Sequence, residues 1–219
     1  PASCRGDFAE TDPVFSHDGA RLAFVSDRCN PGRYNIWLAE MDGTTITALP
    51  RKLISAGGVR PRFNPDSRFL TFVSYRDNYR GGRVYLMDVE RGGEGVEVPL
   101  PVRPGGDPFL YDNPVLSPRR DIRDGRQLDG MTLSYTSIRR DTNKNGRLDP
   151  GDHAALYSVD LDAQAGDLAD AGERERQLTD DGTPVLSTNQ SSFIGGSLLY
   201  AAELYNSVNV YFVRPRGVI

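Results

Sequence analysis

The chain has 219 residues, with 26 Lys and Arg against 30 Asp and Glu, a net charge of −4, and only 38% hydrophobic residues. This acidic balance (pI near 5.3) argues against a nucleic-acid footprint. No run approaches the roughly 18 apolar residues of a helical membrane span, so none is expected. The 23 Gly and 15 Pro are spread along the chain. That spread favours many short strands over a linker or disorder.

Residues 1–11 read as an N-terminal arm. The arm holds Cys4, and the other cysteine is Cys29. A Cys4–Cys29 disulfide would tie the arm to the next segment and suit an oxidising compartment. Alternatively, Pro1 to Cys4 resemble the end of a bacterial lipoprotein signal with Cys4 lipidated. Pro1 then stands where such signals usually carry Leu. Two unrelated free thiols are the third reading.

From residue 12 onward the chain repeats itself, in units of roughly 12–56, 60–103, 113–180 and 183–213. Each unit opens on a Pro that leads a short apolar strand: Pro13, Pro61, Pro114 and Pro184. A turn follows, then a second strand at 22–26, 69–74, 131–137 and 197–202. A third strand carries an aromatic: Trp37, Tyr85, Tyr157 and Tyr211. Pro13 to Ser26 is 13 residues and Ser26 to Trp37 is 11, and Pro61, Ser74 and Tyr85 reproduce both intervals. The third unit stretches them to 23 and 20, so it carries two insertions. Fourth strands are expected at 46–49 or 52–54, at 96–102 and at 176–179. The intervening 162–176 lacks an apolar stripe and reads as a solvated loop with at most a helical turn.

The turn-and-strand pattern resembles the TolB-like, WD40-like propeller repeat. Ser16, Asp18 and Gly19 match three of its four turn residues, and Pro65 with Asp66 and Ser117 with Pro118 match two each. Arg176, Gln177, Leu178 and Thr179 match its closing strand. The resemblance implies an all-β fold, a β-propeller of about four four-stranded blades in a single domain over 1–219. It implies either a closed four-bladed ring or part of a larger propeller. In a closed ring, residues 1–12 would supply the outer strand missing after Val213. A β-sandwich with coincidental Pro-led strands is the competing fold.

One segment carries recognisable chemistry. Residues 141–152 read Asp-Thr-Asn-Lys-Asn-Gly-Arg-Leu-Asp-Pro-Gly-Asp. On a twelve-position EF-hand loop, Asp141, Asn143, Asn145, Arg147, Asp149 and Asp152 fall at the six ligand positions, with Arg147 giving its carbonyl oxygen. Gly146 falls at the sharp turn and Leu148 at the apolar anchor. Calcium is a hard ion that takes six to eight oxygens, and this spacing wraps them round one point. Strands rather than helices flank the loop, so the expected ion is a structural clip. The competing reading is an Asx-rich hairpin loop without metal.

Elsewhere the sequence holds no zinc motif, no Gly-x-Ser-x-Gly elbow and no phosphate loop. His17 and His153 read as surface residues. Asp160, Asp162, Asp167 and Asp170 read as a charged surface loop. Arg119, Arg120, Arg123 and Arg126 form a basic stretch in the other insertion, either solvated or touching a partner. The expectation is a non-catalytic, calcium-stabilised binding or scaffold module of the bacterial periplasm or exterior, with a protein partner or larger assembly. The alternative is a hydrolase or lyase acting on a sugar or peptide in the propeller channel.

Overall fold

The computed structural model describes residues 7–76, 81–123, 126–162, 168, 171–180, 185–194, 197–204 and 207–213. Four antiparallel sheets follow one another along the chain. The first joins β1 (Glu10–Phe15), β2 (Arg21–Ser26), β3 (Asn35–Asp42) and the two-residue β4 (Thr45–Ile46), with β5 (Arg51–Ile54) also pairing β3. The second runs β6 (Val59–Phe63), β7 (Phe69–Ser74), β8 (Arg83–Asp88), β9 (Val96–Glu97). The third runs β10 (Leu110–Arg123), β11 (Arg126–Ile138), β12 (Ala155–Asp162), β13 (Arg176–Gln177). The fourth has β14 (Val185–Ile194), β15 (Ser197–Leu204) and β16 (Ser207–Val213). Four four-stranded blades were expected; the last has three strands among the described residues.

The blades share a cross-strand aromatic pair. Phe24 lies opposite Trp37, Phe72 opposite Tyr85, Tyr135 opposite Tyr157, and Tyr200 opposite Tyr211. In the last three the rings stack, with centroids 5.5, 6.0 and 5.7 Å apart. Such pairs add roughly 0.5–1.5 kcal/mol beyond their burial. Three blades add an arginine over the pair. Arg28, Arg76 and Arg139 each follow a serine by two positions and donate from Nε to its Oγ, at 3.3, 3.1 and 3.3 Å. Their guanidinium groups lie 5.0 Å from the Trp37 ring, 4.0 Å from Tyr85 and 3.8 Å from Tyr157. The side chain that closes each second strand is thus held by cation–π attraction.

The first hairpin turns solve one problem with different residues. In blade one Gly19 takes the left-handed φ of 73° and Ser16 Oγ accepts the Arg21 N–H at 2.9 Å. In blade two Ser67 takes that conformation (φ 64°) and Asn64 Oδ1 accepts the Phe69 N–H at 2.8 Å. Ser67 Oγ also accepts the Asp18 N–H at 3.2 Å, which bonds the two turns across blades.

Asp27 ties two further segments together. Its carboxylate accepts the Ala9 N–H at 2.8 Å and the Gly32 N–H at 2.9 Å. The Gly32 bond, then the Ala9 bond, hold its pKa below the usual carboxylate value. Its contribution to stability is therefore present above the unfolded value of roughly 3.9 and is lost as pH falls through the lower folded one. Asp27→Asn is expected to melt below the parent at pH 7, with the gap narrowing as pH falls below the ordinary carboxylate value of roughly 3.9. An equal gap in melting temperature at pH 7 and in acid would show that the charge does not matter.

Blades one and two bury a common core that includes Ile36, Leu38, Leu70 and Phe72. Another core runs through blade three and takes Val84, Leu86, Val98 and Leu100 from blade two. The first strands of successive blades are neighbours: β1 with β6, β6 with β10, β10 with β14. Blade four packs on blade three, and no extensive packing of blade four on blade one occurs among the described residues. Glu10 and Thr11, expected in the N-terminal arm, belong to β1 and pair with β2, and residues 1–6 lie outside the described residues.

The segment expected to be a solvated loop is partly core. A 3-10 turn, Ala171–Arg174, buries Ala171 completely and Leu168 packs beside it. A Cβ on Gly172 would lie 3.0 Å from the Pro99 carbonyl oxygen. Asp160 is also buried, contrary to expectation. It accepts from Thr132 Oγ1 at 2.9 Å and pairs with Arg176 at 2.7 Å. Asp167 and Asp170 lie outside the described residues, as does the Asp162 side chain.

Candidate functional site

Residues 141–152 connect β11 to β12, whose flanking residues Ser137 and Ala155 pair directly. No helix borders the loop. Lys144 and Gly146 take left-handed φ values of 59° and 83°, which reverse the chain where a sharp turn was expected. A Cβ at Gly146 would meet nothing, so backbone conformation and not space is the reason for glycine.

Of the six expected ligand positions, the five that would bind through side chains are arranged as follows. Asp141 accepts from the N–H groups of Asn145 (3.0 Å) and Gly146 (2.7 Å). Asn143 Oδ1 accepts from Asn145 N–H, and Asn145 Oδ1 from Arg147 N–H, at 3.0 and 2.9 Å. Asp149 accepts from Gly151 N–H at 2.8 Å and from the Asn145 amide nitrogen at 2.7 Å. Asp152 is buried and accepts from the N–H groups of Thr142 (2.7 Å), Asn143 (3.1 Å) and Asp149 (3.0 Å). These bonds, the Asp149 one first, hold its pKa below the usual carboxylate value. The donor set is all oxygen, three carboxylates and two amides, which is what a hard cation takes. The side chains are turned onto backbone N–H groups of the same loop. No cluster of three His, Cys, Asp or Glu suited to a metal is found among the described residues.

A second polar group, not foreseen in the sequence, lies on the first strands of the blades. Asp12, Arg60 and Asn113 each precede a repeat proline and each take a left-handed φ, of 50°, 56° and 51°. The strand register breaks at the same place in all three blades, so each is a β-bulge. Asp and Asn tolerate this conformation, whereas Arg rarely adopts it. Arg60 is held by Asp12 at 2.8 Å and Asp112 at 3.3 Å, which joins three blades through one side chain. Partial burial first, then the Asp112 carboxylate, push the nearby Tyr75 hydroxyl above its ordinary pKa. Asn113 is 1% exposed and its side-chain amide has no hydrogen-bond partner. The signal was readable: all three residues stand immediately before the aligned prolines.

Cys29 is disulfide-bonded, and Cys4 lies outside the described residues. The side chains of Arg119, Arg120, Arg123 and Arg126 also lie outside them. His17 is exposed, and His153 is half-buried with Nδ1 unpartnered.

No protein-family model matches the chain. Over 86 residues it is 33% identical to "Uncharacterized peptidase YuxL" of Bacillus subtilis (strain 168), which is 37% of this chain and 13% of that protein. The crystal structure of TolB from Acinetobacter baumannii aligns with 96% of this chain and 44% of its own, at 18% identity and a TM-score of 0.43. The tricorn protease aligns with 88% of this chain and 19% of its own, at 12% identity and a TM-score of 0.51. The chain therefore spans less than half the length of each of these proteins. At such identities the likeness to solved structures is one of fold. That fold, with its four successive antiparallel sheets joined through their first strands, is a β-propeller.

Proposed function

We propose that the chain is a non-catalytic β-propeller, stabilised by calcium, that serves as a protein-binding or scaffold module in the bacterial periplasm or outside the cell. The loop at 141–152 carries the reading. Its sequence has an oxygen-bearing residue at each ligand position of a calcium loop, and it joins two strands of one blade. Asp141, Asn143, Asn145, Asp149 and Asp152 would hold the ion through side chains and Arg147 through its carbonyl. The ion would supply the positive charge that lets three carboxylates converge and so stiffen a long hairpin.

The ion's effect follows from mass action. A loop of modest charge, with a Kd of roughly 10⁻⁴ M, gains about 2.7 kcal/mol at a hundredfold excess of calcium. For a chain of this size that is about 5–10 °C in melting temperature. Thermal melts with 10 mM calcium, 10 mM magnesium and EDTA test it. The rise is expected with calcium and not with magnesium, and it should vanish in the Asp141→Asn, Asp149→Asn double variant. Equal melting in calcium and EDTA would remove the metal from the reading.

The alternative is a hydrolase or lyase acting in the channel. The convergent polar group of Asp12, Arg60, Tyr75 and Asp112 favours it, as does the peptidase name of one similar protein. Both carboxylates, however, are engaged by Arg60. Turnover of a peptide or oligosaccharide that is lost on Asp112→Asn would make this reading the better one.

A further inference from the structure

Between blades one and two the surface opens into a cleft of about 600 Å³, a volume typical of ligand sites. Gly57 and Gly58 are part of its lining. Arg33, Tyr34, Tyr75 and Arg76 stand around it. The described lining holds two arginines and no carboxylate.

The walls differ in how firmly they are held. Arg76 is fixed: it stacks 4.0 Å from the Tyr85 ring centroid, bonds Ser74 and donates to the Glu94 carbonyl at 2.7 Å. Arg33 is exposed and forms no ion pair among the described residues. Tyr34 and Tyr75 are 40% and 51% exposed, unusual for side chains flanking a well-packed interface between blades. Both positions call for glycine. A Cβ on Gly58 would meet Ile36 Cδ1 at 2.9 Å and Phe72 at 3.2 Å, and Gly57 takes a left-handed φ of 91°. Gly58 N–H donates to the Tyr34 carbonyl at 3.2 Å, and Ser74 Oγ donates to the Gly57 carbonyl at 2.6 Å, so both glycines are fixed in place.

The cleft's described lining carries two arginines and two exposed tyrosines. Glu94 lies behind Ala56, accepting its N–H at 3.1 Å and acting on Arg76, so Arg33 is the cation left for an anionic group carried on a chain that the rings can flank. Guanidinium groups bind carboxylates through paired, charge-assisted hydrogen bonds. Tyrosine rings supply contact area at low entropic cost and keep a polar tip in water. We infer that this cleft binds a peptide segment bearing a carboxylate, with Arg33 as the anion contact and Tyr34 and Tyr75 flanking the segment. This rests on the protein-binding reading above and gives it a location. The carboxylate could be a chain terminus or an acidic side chain.

The test is an amide NMR titration of the full chain in calcium with three tetrapeptides. These are Ala-Phe-Ala-Gln with a free C-terminus, Ala-Phe-Ala-Glu as its C-terminal amide, and the uncharged Ala-Phe-Ala-Gln amide. The expected result is saturable shifts at the Tyr34, Gly57, Gly58 and Tyr75 amides with one or both charged peptides and not with the uncharged one. The charged peptide that binds identifies the source of the carboxylate. Arg33→Gln is expected to weaken binding about tenfold, the loss of one charged hydrogen bond. Tyr75→Ala should also weaken it, and both variants should melt like the parent. No shifts, equal shifts with the uncharged peptide, or shifts confined to another part of the propeller would overturn the site. Shifts at these amides accompanied by peptide cleavage would keep the cleft and overturn the non-catalytic reading instead.

Discussion

Glu175→Ala is expected to destabilise the chain by about 3 kcal/mol in urea titration. Glu175 forms two bonds to the Arg139 guanidinium, both 2.6 Å, and accepts the Tyr135 hydroxyl. The two side chains are only 15% and 10% exposed. Burial alone would lower the Arg139 pKa, but Glu175 more than offsets it and the pKa ends raised. Removing Glu175 leaves that cation against Tyr157, Phe109 and Tyr111 with no counter-charge. It also strands a Tyr135 hydroxyl that is itself almost wholly buried. Replacing both partners, Arg139→Met with Glu175→Leu, is expected to cost less than the single change, because no buried charge remains. A Glu175→Ala variant within 1 kcal/mol of the parent would mean that water reaches the pair and that 171–176 is surface after all.

Phe72→Ala is expected to cost about 3–5 kcal/mol. Phe72 is fully buried, stacks on Tyr85 at 5.5 Å and lies in the core shared by blades one and two. Two glycines make room for it: a Cβ on Gly58 or Gly95 would come within 3.2 or 3.0 Å of its ring. The cavity therefore has little to collapse into it. Because the core is shared, amide hydrogen exchange should quicken in β3 as well as in β7. Faster exchange in β7 alone would show that the ring stabilises its own blade rather than the junction.

Much of the fold was legible because its devices recur. In the first three blades the aligned prolines, the serine at or near the end of the second strand and the aromatic on the third strand fall in equivalent places in three-dimensional register. The same alignment also held the Ser-x-Arg of Ser26 and Arg28, Ser74 and Arg76, Ser137 and Arg139. Reading only as far as the serine missed the arginine that covers each aromatic pair. The outer strands were less legible. Residues 96–102 read as one strand, yet only Val96–Glu97 pairs as β9, and Leu100 instead packs into the next core. Residues 162–176 misled for another reason. A polar composition says nothing about partners far along the chain, and Glu175 is half-buried and Asp160 buried because Arg139, Tyr135, Arg176 and Thr132 meet them there. The inter-blade bridge at Arg60 was hidden likewise, since Asp12 and Asp112 lie 48 and 52 residues away.

The 141–152 hairpin is closed at its base by the Ser137–Ala155 pair, and its polar groups bond mainly to one another. Its length is therefore nearly decoupled from the sheet beneath. Loop closure grows costlier only slowly with length, about 0.6 kcal/mol per doubling. This makes the tip of blade three a natural graft point, where a foreign epitope or lanthanide tag of similar length can replace the native segment while the strand register below it stays unchanged.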